Sequence, residues 1–304
     1  MQDRWTEVEP RIREAVELLD SERTSHYKKI PLYGSIIALV MLLFGCCIFG
    51  FSFPMLLGCL AIGWGIMFAV YSSQQNESYK QKVMPTLVEA VCSGATYHPE
   101  GTITEEVIKS SRLYNMGWGE KFKNEDTIRG QVGKTDFVYG EVELWHMQQT
   151  GKTAVKVVDF KGFVFEADFN KYFQGITLLS SEKFKLSGQL GFFSGLDRCK
   201  LEDVRFEDRY KTYTSNDQEA RYILTPALQE RIMNMNDVFA QQLRDKELSI
   251  SFHDDRMLIM VPSSTDRFEA KYDIESVKKD FLALALMIDI VEQLNLNLRI
   301  WTKE

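Results

Sequence analysis

The sequence predicts a membrane helical hairpin joined to an α+β cytoplasmic domain, made mainly of antiparallel strands with a long C-terminal helix. Three observations carry this. From Ile30 to Asn76 the chain runs 47 residues without an Asp, Glu, Lys or Arg, although 26% of the whole protein is charged. Beyond Gly94, apolar and polar residues alternate in short runs, the period of half-buried strands. Toward the end, apolar positions from Glu275 to Leu294 recur at helical spacing.

Residues 1–29 read as a cytoplasmic amphipathic helix. Val8, Ile12, Val16 and Leu19 recur every three or four positions, and Pro10 suits a first helical turn, so the expected helix runs from Pro10 to Glu22.

Residues 30–72 form the hairpin. A crossing needs roughly 20 apolar residues for a hydrocarbon core of about 30 Å, and the apolar part from Ile30 to Tyr71 has room for two. The break falls at Gly50-Phe51-Ser52-Phe53-Pro54, where proline removes a backbone donor and disfavours helix before it. Charged residues ahead of the block, and no small-residue cleavage pattern after it, argue against a signal peptide. A wedge confined to one leaflet is the rival geometry. Arg23, Lys28 and Lys29 precede the first helix, Lys80 and Lys82 follow the second, and the turn carries no cation, which puts both termini in the cytoplasm of a multi-pass inner-membrane protein. Tyr33 and Tyr71 are expected at one interface. Ala61, Gly65 and Ala69 form a small-residue ridge for helix packing, against the first helix or against a second copy.

Residues 73–94 continue as a juxtamembrane helix with Val83, Leu87, Val88 and Val91 on one face. The domain at 95–304 then opens with strands: Val138, Val142 and Leu144 share a face within Phe137 to Trp145, and Phe163, Phe165, Ala167 and Phe169 form a second alternating face. A charged strand is expected from Leu201 to Tyr213. Ser215 and Gln218 have the form of a capping box, and Thr225-Pro226 that of an N-cap and first helical position, with Leu228, Ile232 and Met235 buried. Leu248, Ile250 and Phe252 run into an Asp254-Asp255 turn, from which Met257, Ile259 and Val261 return. Glu275 to Leu294 closes the chain as one helix. A pleckstrin-like barrel is one topology compatible with this order.

The part after residue 72 holds 30 Lys and Arg against 36 Asp and Glu. That mild acidity argues against a nucleic-acid partner. Cys46, Cys47, Cys59, Cys92 and Cys199 lack metal-like or redox spacing and read as free thiols of a reducing compartment.

Catalytic motifs fail one by one. Gly151-Lys152-Thr153 has His146 where a phosphate loop needs glycine, and reads as a hairpin turn. Glu202, Asp203, Glu207 and Asp208 are interleaved with Arg205, Arg209 and Lys211, which reads as a paired, hydrated face rather than an acid–base pair. His26, His98, His146 and His253 are scattered, with His253 read as an exposed residue beside a turn. No catalytic, cofactor-binding or metal-ligating residue is assigned, and no cofactor is expected. Gly188, Gly191 and Gly195 are interleaved with Leu190, Phe192, Phe193 and Leu196, a lining unsuited to phosphate. This loop either folds into the core or is exposed to meet lipid or a partner, making Leu190, Phe192, Phe193 and Leu196 the candidate contact residues.

The block LEDVRFEDRYKTYTSNDQEARYILTP, Leu201 to Pro226, resembles the signature of an uncharacterised bacterial membrane-protein family known only as a domain of unknown function. The similarity extends from about Lys80 to Ile300, including Asp126-Thr127-Ile128-Arg129-Gly130 and Phe160-Lys161-Gly162; Tyr210 departs from an expected phenylalanine. The resemblance implies two N-terminal membrane helices and, from members encoded beside LemA-type membrane proteins, a partner of that type. It supplies no site residues. The expected function is that of a membrane-anchored interaction or scaffold protein whose candidate partners are the bilayer, another protein and a second copy in a homo-oligomer; a tethered enzyme and a lipid-binding or membrane-shaping hairpin are the alternatives.

Overall fold

The computed structural model describes residues 2–49, 52–114, 116, 119–151, 153–169, 172–181, 195–242, 248–264 and 267–294. They divide into two compact units, one of Met1–Ala90 with Arg267–Phe281, the other of Val91–Asp266 with Leu282–Glu304. The segments expected from sequence were contiguous; here residues 267–281 group with the N-terminal helices.

The first unit is built on α1 (Gln2–Phe49) and α2 (Phe53–Lys82), followed by α3 (Met84–Val91). The amphipathic piece foreseen from Pro10 to Glu22 is the start of a single helix that passes through Pro10 and Pro31. Ile12, Val16 and Leu19 are buried, as their spacing predicts. Both helices are long and apolar enough to cross a membrane, and only 11% of each apolar window is buried. Leu39, Leu43, Phe44, Leu57, Ile62 and Phe68 are exposed, an arrangement that water disfavours and hydrocarbon accepts.

The helices run antiparallel, with His26 stacked on Tyr71 at 4.8 Å, Tyr27 on Phe68 at 5.9 Å, and Trp64 Nε1 donating to Ser35 Oγ at 3.3 Å. Tyr71 therefore lies level with His26, and Tyr33 lies seven residues further along α1, so the two tyrosines do not share one level. Glycine makes the close approach possible at one point: a side chain at Gly63 would collide with the Gly34 carbonyl and meet Ala38 Cβ at 3.3 Å. The ridge at Ala61, Gly65 and Ala69 is exposed, and a Cβ on Gly65 would meet nothing.

Beyond the apolar stretch the pair continues as a polar stem. Lys82 Nζ meets Glu22 at 3.0 Å. Residues 267–281 return to this stem as a strap. Asn76 receives the Ala270 N–H at 3.1 Å and donates to Glu269, Tyr272 donates to Gln75 Oε1 at 2.6 Å, and the Arg23 guanidinium lies 4.1 Å from the Tyr272 ring centroid. Phe281 packs on Trp5 at 5.2 Å.

The second unit contains β1 (Thr96–His98), α4 (Glu105–Ser111), β2 (Glu120–Val132), β3 (Thr135–Thr150), β4 (Thr153–Asp168), β5 (Thr177–Ser181), β6 (Asp197–Cys199), α5 (Val204–Arg209), β7 (Tyr210–Thr214), α6 (Asp217–Ile223), α7 (Pro226–Gln242), β8 (Ser249–His253) and β9 (Arg256–Pro262). The end of α8 (Ile274–Ile288) and α9 (Ile290–Gln293) follow. Among the described residues the strands form one sheet in the order β1-β2-β3-β4-β9-β8-β5-β7-β6, every pair antiparallel. Its edges are β1 and β6, so the topology is an open sheet and not the pleckstrin-like barrel.

Alternation fills both faces. Val138, Val142, Leu144, Val164, Leu258 and Met260 pack with Ile103, Ile108 and Leu113 on one. On the other, Tyr139 stacks on Phe163 at 5.4 Å and Phe137 on Phe165 at 5.9 Å. The Asp126-Thr127 segment is a bulge: Asp126 has φ 52°, and the register shifts between Glu125 and Ile128. Thr127 and Asn124 side chains there accept the Thr102 and Ile103 N–H groups at 3.0 and 2.7 Å.

Local chemistry corrects three expectations. The charged strand from Leu201 to Tyr213 begins as α5, because Asp203 caps it by accepting the Arg205 and Phe206 N–H groups; only Tyr210–Thr214 is strand. Asn216, not Ser215, caps α6, while Ser215 Oγ accepts the Ile176 N–H at 2.9 Å. The closing helix is interrupted at Asp289 and resumes as α9. Thr225 does cap α7, its Oγ1 accepting the Leu228 N–H at 3.3 Å.

Candidate functional site

Of the four loop residues singled out from sequence, Leu190, Phe192 and Phe193 lie outside the described residues. Leu196 is buried in the sheet core.

A different surface stands out. β3 pairs with β2 only as far as His146, and β4 pairs with β9 only from Gly162 onward. Among the described residues, 147–150 and 153–156 thus pair only with each other, as a two-stranded ribbon beyond the neighbouring strands, and 157–160 at its base pair with β3 but not with β9. Gly151, at φ 64°, lies in its turn, which confirms the hairpin at Gly151-Lys152-Thr153. Pro262 ends β9 and has no N–H with which to extend the ladder. Met147, Val155 and Val158 are exposed on the ribbon. Trp145 faces Val158 across the strands, and Lys156 lies over the Trp145 ring at 4.3 Å while pairing with Glu143 at 2.8 Å. His146 meets Asp159 at 2.6 Å where the register slips. Sequence periodicity located the strands but gave no sign that their neighbours stop short.

Two of the clustered carboxylates around α5, Asp203 and Glu207, are engaged structurally. Asp203 caps the helix and pairs with Arg205 at 3.0 Å, Glu207 pairs with Arg198, and Arg209 reaches Asp237 at 2.7 Å. Among the described residues no group of His, Cys, Asp and Glu is arranged to hold a metal ion.

His253 is buried, contrary to its expected exposure, because β8 is an interior strand. Its Nδ1 lies 3.1 Å from Ser251 Oγ and its Nε2 3.4 Å from Ser110 Oγ, while Ser110 also donates to the Val107 carbonyl at 3.1 Å. Burial holds the imidazole below its ordinary pKa, only partly opposed by Asp254. The unfolded chain therefore binds a proton first, and stability falls as pH drops below about 6.5 toward the depressed native value. Replacing His253 by Gln is expected to flatten that part of the pH profile of the urea midpoint; an unchanged slope would assign the acid sensitivity elsewhere.

One polar cleft of 290 Å³ opens on the sheet, lined by Arg129, Gly130, Asp136, Phe137, Val138, Glu166 and Arg256. Register explains the gathering: Arg129 pairs with Val138, Val138 with Glu166 and Glu166 with Leu258, which places Arg129 and Glu166 on one face across a small apolar residue. Arg256 enters two positions before Leu258, on the same face. Burial raises the Glu166 carboxyl above its usual range, against the pull of Arg256 and Arg129.

Comparison with known proteins places part of this unit. Residues 158–296 match the family described as Protein of unknown function (DUF3137). The match bears out the resemblance noted at Leu201 to Pro226, over a shorter stretch than Lys80 to Ile300. Glu166, His253 and Arg256 lie within the DUF3137 match; Arg129, Asp136 and most of the ribbon precede it. The comparison with curated proteins gives no match. Among solved structures, the crystal structure of the mycobacterial trehalose monomycolate transport factor A, TtfA, aligns over 68% of this chain and 92% of that chain, at 11% identity and a TM-score of 0.35.

Proposed function

We propose that this is a membrane-anchored interaction or scaffold protein that presents its α+β domain at the inner face of a bacterial membrane. The β3–β4 ribbon carries the reading: among the described residues no third strand pairs with its outer edges, and these edges with exposed Met147, Val155 and Val158 offer both a ladder and an apolar surface to another protein. The two apolar helices supply the anchor. Arg23, Lys28, Lys29, Lys80 and Lys82 fall at one end of the antiparallel pair, which supports a multi-pass arrangement with both termini cytoplasmic. The family resemblance makes a LemA-type membrane protein the first partner to seek.

Affinity purification of the full chain in mild detergent, with mass spectrometry of what copurifies, tests this. A specific partner is expected with the wild type and is expected to be lost with Met147→Asp plus Val155→Asp, whose exposed positions keep the melting temperature within a few degrees of wild type. Equal recovery by the double variant would remove the ribbon from the interface, and repeated purification without partner, together with turnover of a metabolite, would replace scaffold by enzyme.

A further inference from the structure

The cleft between β2, β3, β4 and β9 has properties that a solvated surface patch does not require. Its floor is the apolar side chain of Val138 and its walls are two guanidinium groups and two carboxylates. Arg129 is held in place rather than free to wander, since Nε donates to Thr102 Oγ1 at 2.7 Å and Nη2 to the Thr102 carbonyl at 3.0 Å. Asp136 is fixed at the rim by Gln131 Nε2 at 2.9 Å. Arg256 keeps a loose contact with Asp255 at 3.6 Å, longer than a charge-assisted hydrogen bond, which leaves donors facing the cleft. Among the described residues no hydrogen bond reaches the Glu166 carboxylate, although it is half-buried in the cleft wall. A carboxylate in such a place is satisfied by water or by a ligand.

The charges decide which ligand. A bare anion drawn to Arg129 and Arg256 would face Glu166 and Asp136, and a bare cation drawn to the carboxylates would face the guanidinium groups. A molecule with one charge of each sign satisfies both walls at once. We propose that this cleft binds a small zwitterion, with a primary ammonium group donating to Glu166 and an anionic oxygen group, carboxylate or phosphate, held by Arg256 and Arg129. A volume of 290 Å³ takes a compact molecule of this kind, at the small end of ligand sites.

Titration calorimetry of the full chain in dodecyl maltoside, a detergent without charge, tests the proposal with four probes. β-Alanine and O-phosphoethanolamine are the zwitterions, while inorganic phosphate and ethylamine each carry one half of the recognised chemistry. At least one zwitterion is expected to bind about tenfold or more tightly than either half alone, and both Glu166→Gln and Arg256→Gln are expected to weaken it by about tenfold or more. The better zwitterion tells whether carboxylate or phosphate is the anionic group. Nanodiscs containing phosphatidylethanolamine, which compete with O-phosphoethanolamine only if the headgroup of a lipid enters, separate a membrane source from a soluble one. Circular dichroism and melting establish that each variant is folded; because Arg256 sits beside the exposed turn, Arg256→Gln decides the matter if Glu166→Gln does not fold. Heat signals for neither zwitterion, phosphate or ethylamine binding as tightly as the better zwitterion, or full affinity in a folded Arg256→Gln protein would overturn the assignment.

Discussion

Gly162→Ala is expected to lower the stability of the sheet unit by about 3 kcal/mol or more, a large share of the 5–15 kcal/mol typical of a folded domain. Gly162 pairs with Pro262 where β4 meets β9, and a Cβ there would strike the Val261 carbonyl and come within 2.8 Å of the Ser263 nitrogen and 2.9 Å of Pro262 Cα. All three are backbone atoms, so no rotamer change makes room. The join itself would have to open, costing the Ser263 N–H to Lys161 carbonyl bond at 3.0 Å. Urea unfolding followed by tryptophan fluorescence would read this as a midpoint lower by roughly 1 M or more, given slopes of about 1–3 kcal/mol per molar. A wild-type midpoint would mean that β9 can withdraw without loss. The same argument gives a physical reason for the Phe160-Lys161-Gly162 motif: the glycine admits a neighbouring strand at the place where proline ends it.

The second large effect is expected at Gly63→Leu, which should force α1 and α2 apart. The obstacle is again backbone, the Gly34 carbonyl and the Ala38 nitrogen, the latter 3.1 Å from the would-be Cβ. Without a hydrophobic drive between helices in lipid, close packing is the main source of their association, and a leucine at the crossing removes it. Melting in detergent should fall by at least several degrees, with protease cleavage appearing in the stem. Gly65→Leu, only two residues away, meets nothing and should leave the monomer within about 0.5 kcal/mol of wild type. If Gly65→Leu also abolishes self-association on a sizing column in detergent, the open ridge of Ala61, Gly65 and Ala69 is the contact between copies; identical damage from both leucines would contradict the crossing described here.

Much of this architecture was legible because it follows from periodicity and breakers. The uncharged run, the Pro54 break, the alternation at Phe163 to Phe169 and the Thr225 cap all depend on neighbours in sequence. What escaped depends on neighbours in space. Ser215 has the right spacing for a capping box, yet its hydroxyl serves the Ile176 N–H and leaves Asn216 to start the helix. His253 beside a turn looks solvent-exposed until β8 is found flanked by β9 and β5. Arg129 and Glu166 are far apart along the chain, and only the β2-β3-β4 register brings them over Val138. The ribbon escaped for a simpler reason: where β2 begins and β9 ends is a property of the partners, not of the ribbon's own residues.

The strap gives the stem an unusual biography. Asn76 leaves the ribosome 193 residues before Glu269, its partner, so at about 5–20 residues per second the helical pair waits roughly ten to forty seconds for the segment that finishes it. During that interval Gln75 and Asn76, just outside the apolar stretch, lack the strap partners they hold in the folded chain, while the whole sheet sequence is being made. Completion of the strap therefore reports that translation has passed the sheet, and a nascent chain arrested before residue 267 should carry an unfinished stem.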